Sequence, residues 1–347
     1  MPAPIPAERG GGPGGAAILP PSRTRSPMLP HPTVESAGAR APVDYILVAA
    51  PPPVVLAYGI GVDSTALLVE LESRGEPPDL VLTADPGAEK PETYEYQRVI
   101  SLWMAARGIP YEVVRYVPTR FKHWPPYYSI LANVLTNATL PSISLGRHSL
   151  KWKVAPQDAF LKQWAPARAA WANGQKVERL IGYDTSPSDS RRHAHAAGLD
   201  DPLFQCRYPL REWNWTRDRC IARIEAAGLP VPPKSSCFFC GAIRPDEVRA
   251  LPAWCLRLIV LIEARAEPRL RTVEGLWRRS TRTRPGRITD FIRAERLLPE
   301  AEIDAIRRDA PTDLIRFQDA ASIVPIAERP TMEEWIASFN AGLMEAA

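Results

Sequence analysis

The sequence predicts an α/β protein with an open, mostly parallel sheet and a helical C-terminal extension. Three observations carry this expectation. From Val54 onward, short β-branched runs alternate with stretches of helical spacing. Glycines close those stretches, as at Gly108 and Gly228. The first apolar run also stops at a glycine-bearing turn that leads straight into a helical pattern, where ligands of such sheets bind.

Residues 1–42 are rich in Pro, Gly, Ala and Arg and cannot bury enough surface to offset their ordering entropy, so a disordered tail is expected. They hold no apolar run long enough for a signal-peptide core. The apolar region Tyr45–Ile60 is interrupted by Pro51-Pro52-Pro53 and is too short to span a bilayer. Strands are expected at Val54–Tyr58, Asp79–Ala84, Tyr111–Tyr116 and Val177–Gly182. Helices are expected at Ser64–Ser73, Glu92–Arg107, Lys151–Trp164 and Thr216–Ala227. This places one α/β domain at residues 43–245 and a mainly helical, Arg-rich region at 246–347. In that region Pro245–Ala266 reads as a helix, and Thr331–Phe339 carries a capping pattern.

The 347 residues are 45% apolar and 24% charged, with a formal charge of +4, so any nucleic-acid surface has to be local. Five cysteines are too few for a disulfide scaffold, and the number is odd. Two of them form Cys237-Phe238-Phe239-Cys240, which points to metal or redox chemistry in a reducing, cytoplasmic setting.

The richest stretch is Val54–Val69, VVLAYGIGVDSTALLV. Gly59 and Gly61 let the backbone turn and approach a ligand closely. The following helix N-terminus favours an anion through its free amides and dipole. Ser64 and Thr65 add hydroxyl donors. Asp63 suits a bare phosphate site only with a metal ion or a structural hydrogen bond; otherwise it is a helix cap. The Gly-Lys-Ser/Thr element of a Walker A loop is missing, as is a dinucleotide fingerprint.

Gly59-Ile60-Gly61-Val62-Asp63-Ser64 resembles the PP-loop, Ser-Gly-Gly-x-Asp-Ser, of ATP pyrophosphatases and phosphoadenylyl-sulfate (PAPS) reductases, with Gly59 in place of Ser and Ile60 in place of Gly. Four further segments resemble the PAPS reductase family in the same order. Thr83-Ala84-Asp85-Pro86-Gly87 with Pro91-Glu92-Thr93 resembles Asp-Thr-Gly and Pro-Glu-Thr, and Arg147–Pro156 resembles Cys-x-x-x-Lys-x-x-Pro. Leu180–Asp184 with Arg191-Arg192 resembles Ile-Gly followed by Glu-Ser-x-x-Arg. Tyr208–Trp213, Gly228-Leu229-Pro230 and Cys237-x-x-Cys240 resemble Tyr-Pro-Leu-x-x-Trp, Gly-Leu-Pro and Cys-x-x-Cys. The match spans roughly residues 54–245.

The resemblance implies a Rossmann-like sheet of the adenine nucleotide alpha-hydrolase type. It implies that Gly59, Gly61, Asp63, Ser64, Thr65 and Gly182 surround the nucleotide. Asp63, Ser64 and Lys153 are the catalytic candidates. Lys153, Arg191 and Arg192 would neutralise phosphates, the arginines by bidentate contacts, or else be solvated surface charges. Asp85 and Glu92 would hold ribose or Mg²⁺, or serve as caps. His148 stands where the family often has cysteine, so Cys220, Cys237, Cys240 and His148 are candidate ligands for a [4Fe–4S] cluster or Zn²⁺. The alternatives for Cys237 and Cys240 are a redox or persulfide role, or packing as small apolar residues around Phe238 and Phe239. His193 and His195 are expected in a loop.

Three activities follow from this reading. The first is cleavage of ATP at the α-phosphate to AMP and pyrophosphate, activating a substrate for sulfur transfer or nucleic-acid modification. The second is thioredoxin-dependent reduction of PAPS, which the absence of a cysteine after Cys255 opposes. The third is nucleotide binding without turnover in a larger system. Residues 269–296 are dense in arginine and include Trp277 and Phe291, a pattern consistent with tRNA or DNA, or with a solvated helical face.

Overall fold

The computed structural model describes residues 50–118, 127–141, 149–310 and 331–345. The tail expected at 1–42 and the candidate ligand His148 lie outside these residues.

Five strands form one all-parallel sheet: β1 (Val54–Ala57), β2 (Leu80–Ala84), β3 (Tyr111–Val114), β4 (Val177–Ile181) and β5 (Phe204–Arg207). Their spatial order is β3-β2-β1-β4-β5. Leu56 of β1 pairs with Val81 on one side and Leu180 on the other. The chain winds outward from β1 to β3, then returns to build β4 and β5 on the opposite side of β1. The crevice beyond the carboxyl ends of β1 and β4 is therefore the topological switch point of this Rossmann-like open α/β fold. All five residues of β2, Leu-Val-Leu-Thr-Ala, are buried, as expected for a strand covered on both faces.

Helices cover both faces. Leu56, Val81 and Leu180 meet α1 (Val62–Ser73), α2 (Pro91–Ala105) and α8 (Arg217–Ala226) through Leu67, Ile100 and Ile224. Val55, Leu80, Leu82 and Val177 meet α4 (Ala155–Leu161) and α5 (Ala165–Ala172) through Leu161 and Ala167. Thr216 caps α8 by accepting from Arg219 N, and Gly228 follows in the left-handed region at φ +71°.

The structure departs from the expected elements in four places. β5 carries no strand signal, because Phe-Gln-Cys-Arg has little apolar character; it is an edge strand held by its ladder to β4. His193 and His195 lie in a helix, α6 (Pro187–Ala196), rather than a loop. The Ser186 cap and Pro187 at the first position supply a start that the polar sequence hides. The helix expected at Lys151–Trp164 begins as a π-turn (Leu150–Val154) before α4 and stops before α5. The helix expected at Pro245–Ala266 is two, α9 (Pro245–Arg249) and α10 (Ala253–Ala266), broken at Pro252.

α10 anchors a third core that straddles residue 245. It gathers Leu131 and Leu135 of α3 (Ile130–Asn137), Trp152, Phe238, Phe239, Trp277 and Ile292. The terminal helix Met332–Glu345 joins it through Met332 and Ile336, and its start is a capping box: Glu334 N donates to Thr331 Oγ1 and Thr331 N to the Glu334 carboxylate. Among the described residues no helix is long and apolar enough to cross a membrane.

One buried carboxylate organises this third core. Glu263 on α10 is 4% exposed. It accepts from Leu276 N (2.8 Å), Ile288 N (3.0 Å), Thr289 N (2.8 Å) and Thr289 Oγ1 (2.6 Å). A Cβ on Gly275 would lie 2.5 Å from its Oε1, so the loop closes on the carboxylate only with glycine there. Glu263→Ala leaves these donors buried and unpaired. It is expected to destabilise the protein by roughly 3–5 kcal/mol, read as a lower midpoint in urea unfolding.

Candidate functional site

The turn after β1 is pinned from both sides. Tyr58 N donates to Leu82 O, and Thr83 Oγ1 donates to Tyr58 O at 3.0 Å. The Tyr58 and Thr65 hydroxyls bond at 2.9 Å. Thr65 is thus turned into the core, and its hydroxyl is not presented to the crevice as expected. Gly59 is open on its outer side. Ile60 is buried and sits at φ +57°, a conformation that costs a β-branched residue about 1–3 kcal/mol. Gly61 is the N-cap of α1, and Ser64 closes the turn by donating to Gly61 O at 3.1 Å. Thr65 N bonds Gly61 O, whereas the N–H groups of Val62, Asp63 and Ser64 have no acceptor among the described residues.

Gly182, at the end of β4, lies directly under this first helical turn. A Cβ there would stand 2.8 Å from Ser64 N and Ser64 Cα. The glycine is required for β1 and β4 to share the crevice at this spacing.

Beside the turn stands a group of carboxylates. Asp63 Oδ2 accepts from Arg217 at 2.7 Å. Its Oδ1 is buried and accepts no hydrogen bond among the described residues. Burial pushes the Asp63 carboxyl up to about 6; Arg217 opposes the shift, and Asp184 and Asp189 add to it. Asp184 and Asp189 are both buried, linked by Asp184 N donating to Asp189 Oδ2. Arg192 pairs with Asp189 at 3.0 Å, and both Arg191 and Arg192 are exposed. Lys153 lies instead on the β2 side, so the three cations expected to converge are not brought together.

On that side a cavity of about 90 Å³ opens between the ends of β1 and β2, walled by Gly59, Ile60, Asp85, Glu89, Lys153 and Ser235. Asp85 Oδ1 accepts from Gly87 N and the Tyr94 hydroxyl, and Oδ2 takes two bonds from Arg115, at 2.9 and 2.6 Å. Glu89 is 4% exposed; its Oε1 accepts from Lys153 Nζ at 2.9 Å and its Oε2 from Ser235 Oγ at 3.2 Å. Burial disfavours the Lys153 charge, but Glu89 outweighs it and raises the ammonium pKa above its ordinary value. Glu92 is not in this wall; it sits in the first turn of α2, paired with Lys90 at 3.2 Å. Glu89, Ser235, Tyr94 and Arg115 carry no motif in the sequence, where the charged run Glu89-Lys90 is the one local signal.

Lys153 projects from the π-turn, a form of helix common at functional sites. The neighbouring Lys151 is held over three rings, Tyr116, Tyr127 and Trp152, at 4.7, 5.0 and 4.6 Å.

The cysteines divide between two places. An antiparallel bridge joins Glu89 to Cys237, with Phe238 N donating to Ala88 O, and this sets Cys237 and Cys240 behind Lys153. Cys220 is fully buried on α8 beside Asp63, in the core on the opposite side of the site. Burial, with Asp63 and Asp184, pushes its thiol up to about 12. Cys220 therefore does not join Cys237 and Cys240 as a ligand. Among the described residues no group of three or more His, Cys, Asp or Glu side chains is arranged to hold a metal ion.

The Arg-rich segment loses its aromatic contribution to nucleic-acid binding. Trp277 is 2% exposed and donates to Ile243 O, and Phe291 packs against it at 5.3 Å. Arg287 pairs with Glu267, and Arg293 with Glu300 and Asp304. These rings are core residues rather than stacking platforms for bases.

No protein-family model matches the chain, and no curated protein matches it in sequence.

The raised Asp63 carboxyl has a stability consequence. Below its ordinary value of 3.8, folded and unfolded states are both protonated. As the pH rises toward 6, the unfolded chain releases its proton first and the fold weakens, by about 3 kcal/mol for about two units. Asp63→Asn removes that cost but leaves Arg217 unpaired. The difference in Tm between variant and wild type is expected to be positive near pH 8 and to shrink or reverse near pH 4.

Proposed function

We propose that the protein is a PP-loop adenine-nucleotide enzyme of the PAPS reductase-like type, and that it cleaves ATP at the α-phosphate to activate an acceptor. The observation that carries this reading is the first turn of α1. Three of its amides have no acceptor among the described residues, and Gly182 at the end of β4 packs against the backbone of Asp63 and Ser64. The acceptor oxygen attacks the α-phosphorus, the bond from that phosphorus to the bridging oxygen of the β-phosphate breaks, and pyrophosphate leaves with the electron pair. A second nucleophile then displaces AMP. The protein acts here by positioning, and by meeting the charge that develops on the phosphates with the amides of Val62, Asp63 and Ser64.

ATP accompanied by Mg²⁺ fits this site better than a metal-free anion. Four of the cations around the crevice already serve a carboxylate: Lys153 with Glu89, Arg115 with Asp85, Arg217 with Asp63 and Arg192 with Asp189. Asp63, in the first turn of α1 beside the free amides, is the carboxylate that would hold a hard cation there, neutralising phosphate charge. Cys237 and Cys240 supply two thiols where zinc or a cluster takes about four ligands, so no step is assigned to such a group. Transfer to tRNA or DNA, or of sulfur, is left to the identity of the acceptor.

Calorimetric titration with ATP, with and without Mg²⁺, tests the reading. Binding is expected to need Mg²⁺ and to weaken at least about tenfold in Gly182→Ala, whose Cβ displaces the Ser64 amide. Pyrophosphate exchange into ATP then reports turnover. Absence of ATP binding under both conditions overturns the proposal, and sulfite release from PAPS with thioredoxin would replace it with sulfonucleotide reduction.

A further inference from the structure

The two carboxylates that wall the β2-side cavity differ in what they have left to give. A carboxylate has about four acceptor positions. Asp85 has filled them: Gly87 N and Tyr94 at one oxygen, Arg115 twice at the other. Glu89 has one donor at each oxygen, Lys153 and Ser235, and keeps a second position on each. Both residues face the cavity. Asp85 is therefore a structural clamp, and Glu89 is the carboxylate free to accept from a ligand.

The cavity's place in the fold limits that ligand. In the reading above phosphates go to the α1 amides, and the cavity lies to the side of them, at the end of β2. The cavity, about 90 Å³, has room for a sugar ring rather than a whole nucleotide. Asp85 is paired with Arg115 and Glu89 with Lys153, so the wall has no free cation to meet a phosphate, and what it has left are the acceptor positions of Glu89. Such a wall takes a hydroxyl donor and gives a phosphate oxygen no partner.

We propose that Glu89 is the specificity-determining residue of the site: it accepts a ribose hydroxyl and excludes nucleotides whose ribose carries an additional phosphate. The proposal rests on the nucleotide reading above and extends it, selecting ATP-type ligands over 3′-phosphorylated ones. Lys153 is a positioning residue in this scheme, fixing the Glu89 carboxylate rather than binding phosphate itself.

Calorimetry with AMP and adenosine 3′,5′-bisphosphate, which differ only in the 3′-phosphate, tests it, with ATP as the reference ligand. The wild-type protein is expected to bind AMP about tenfold more tightly than the bisphosphate. Glu89→Gln frees Lys153 and should erase most of that preference or reverse it. The wild type should also lose about tenfold for 2′-deoxy- or 3′-deoxy-ATP relative to ATP, a comparison that needs no variant. If the bisphosphate matches or exceeds AMP in the wild type, or Glu89→Gln leaves the ratio in place, or both deoxynucleotides bind as well as ATP, the proposal falls while the nucleotide reading stands. If neither ATP nor AMP binds, the nucleotide reading falls and takes this one with it.

Discussion

A carboxylate removed from water has to be met by donors, and the long-range connections of this molecule outside its sheet are largely answers to that requirement. Glu263 gathers two segments of the Arg-rich loop onto α10. Asp85 fastens Arg115, beyond β3, to the end of β2. Glu89 reaches Lys153 on the π-turn and Ser235 before the paired cysteines. Glu247 takes Lys90, Lys234 and its own cap amide; burial works against its charge, but those donors prevail and hold the carboxyl down at about 2. Two carboxylates are met at one oxygen only: Asp63, with Oδ2 on Arg217, and Glu333, with Oε1 on Tyr128 N and Ser129 Oγ.

Much of the scaffold was legible because its signals are local. β-Branched runs gave β1 to β4, and the caps at Thr216 and Thr331 with the glycines at 108 and 228 gave helix limits to within a few residues. What failed locally was supplied by tertiary context. β5 draws its order from β4, and α6 has no apolar stripe to announce it. In the candidate site, Gly59 and Gly61 were visible as the glycines of the turn between β1 and α1, and Gly182 through the family resemblance. Glu89 was not, because its partner Ser235 lies 146 residues away and a charged run looks like solvent-facing surface. The same bias worked in reverse at Trp277 and Phe291, where surrounding arginines suggested exposure for two rings that are core.

Ile60 shows how a site position can run against local preference. Glycine would take φ +57° without strain, yet the chain places a branched side chain there and buries it at 4% exposure. The apolar contact offsets part of the backbone cost and leaves the turn less able to relax than a glycine would. A stiffer turn holds its amides in place before any ligand arrives, which lowers the ordering cost of binding. It also narrows the range of ligand shapes the turn can follow.

The π-turn at Leu150–Val154 sets the direction of Lys153 in a way that side-chain chemistry alone does not. Each helical residue advances the chain by about 100°, so a wider turn is in effect one residue inserted into an ordinary helix. Deleting one residue there would swing the lysine about a quarter-turn from Glu89 while every side chain kept its identity. A change in chain length at this turn would thus part Lys153 from Glu89 without altering either side chain.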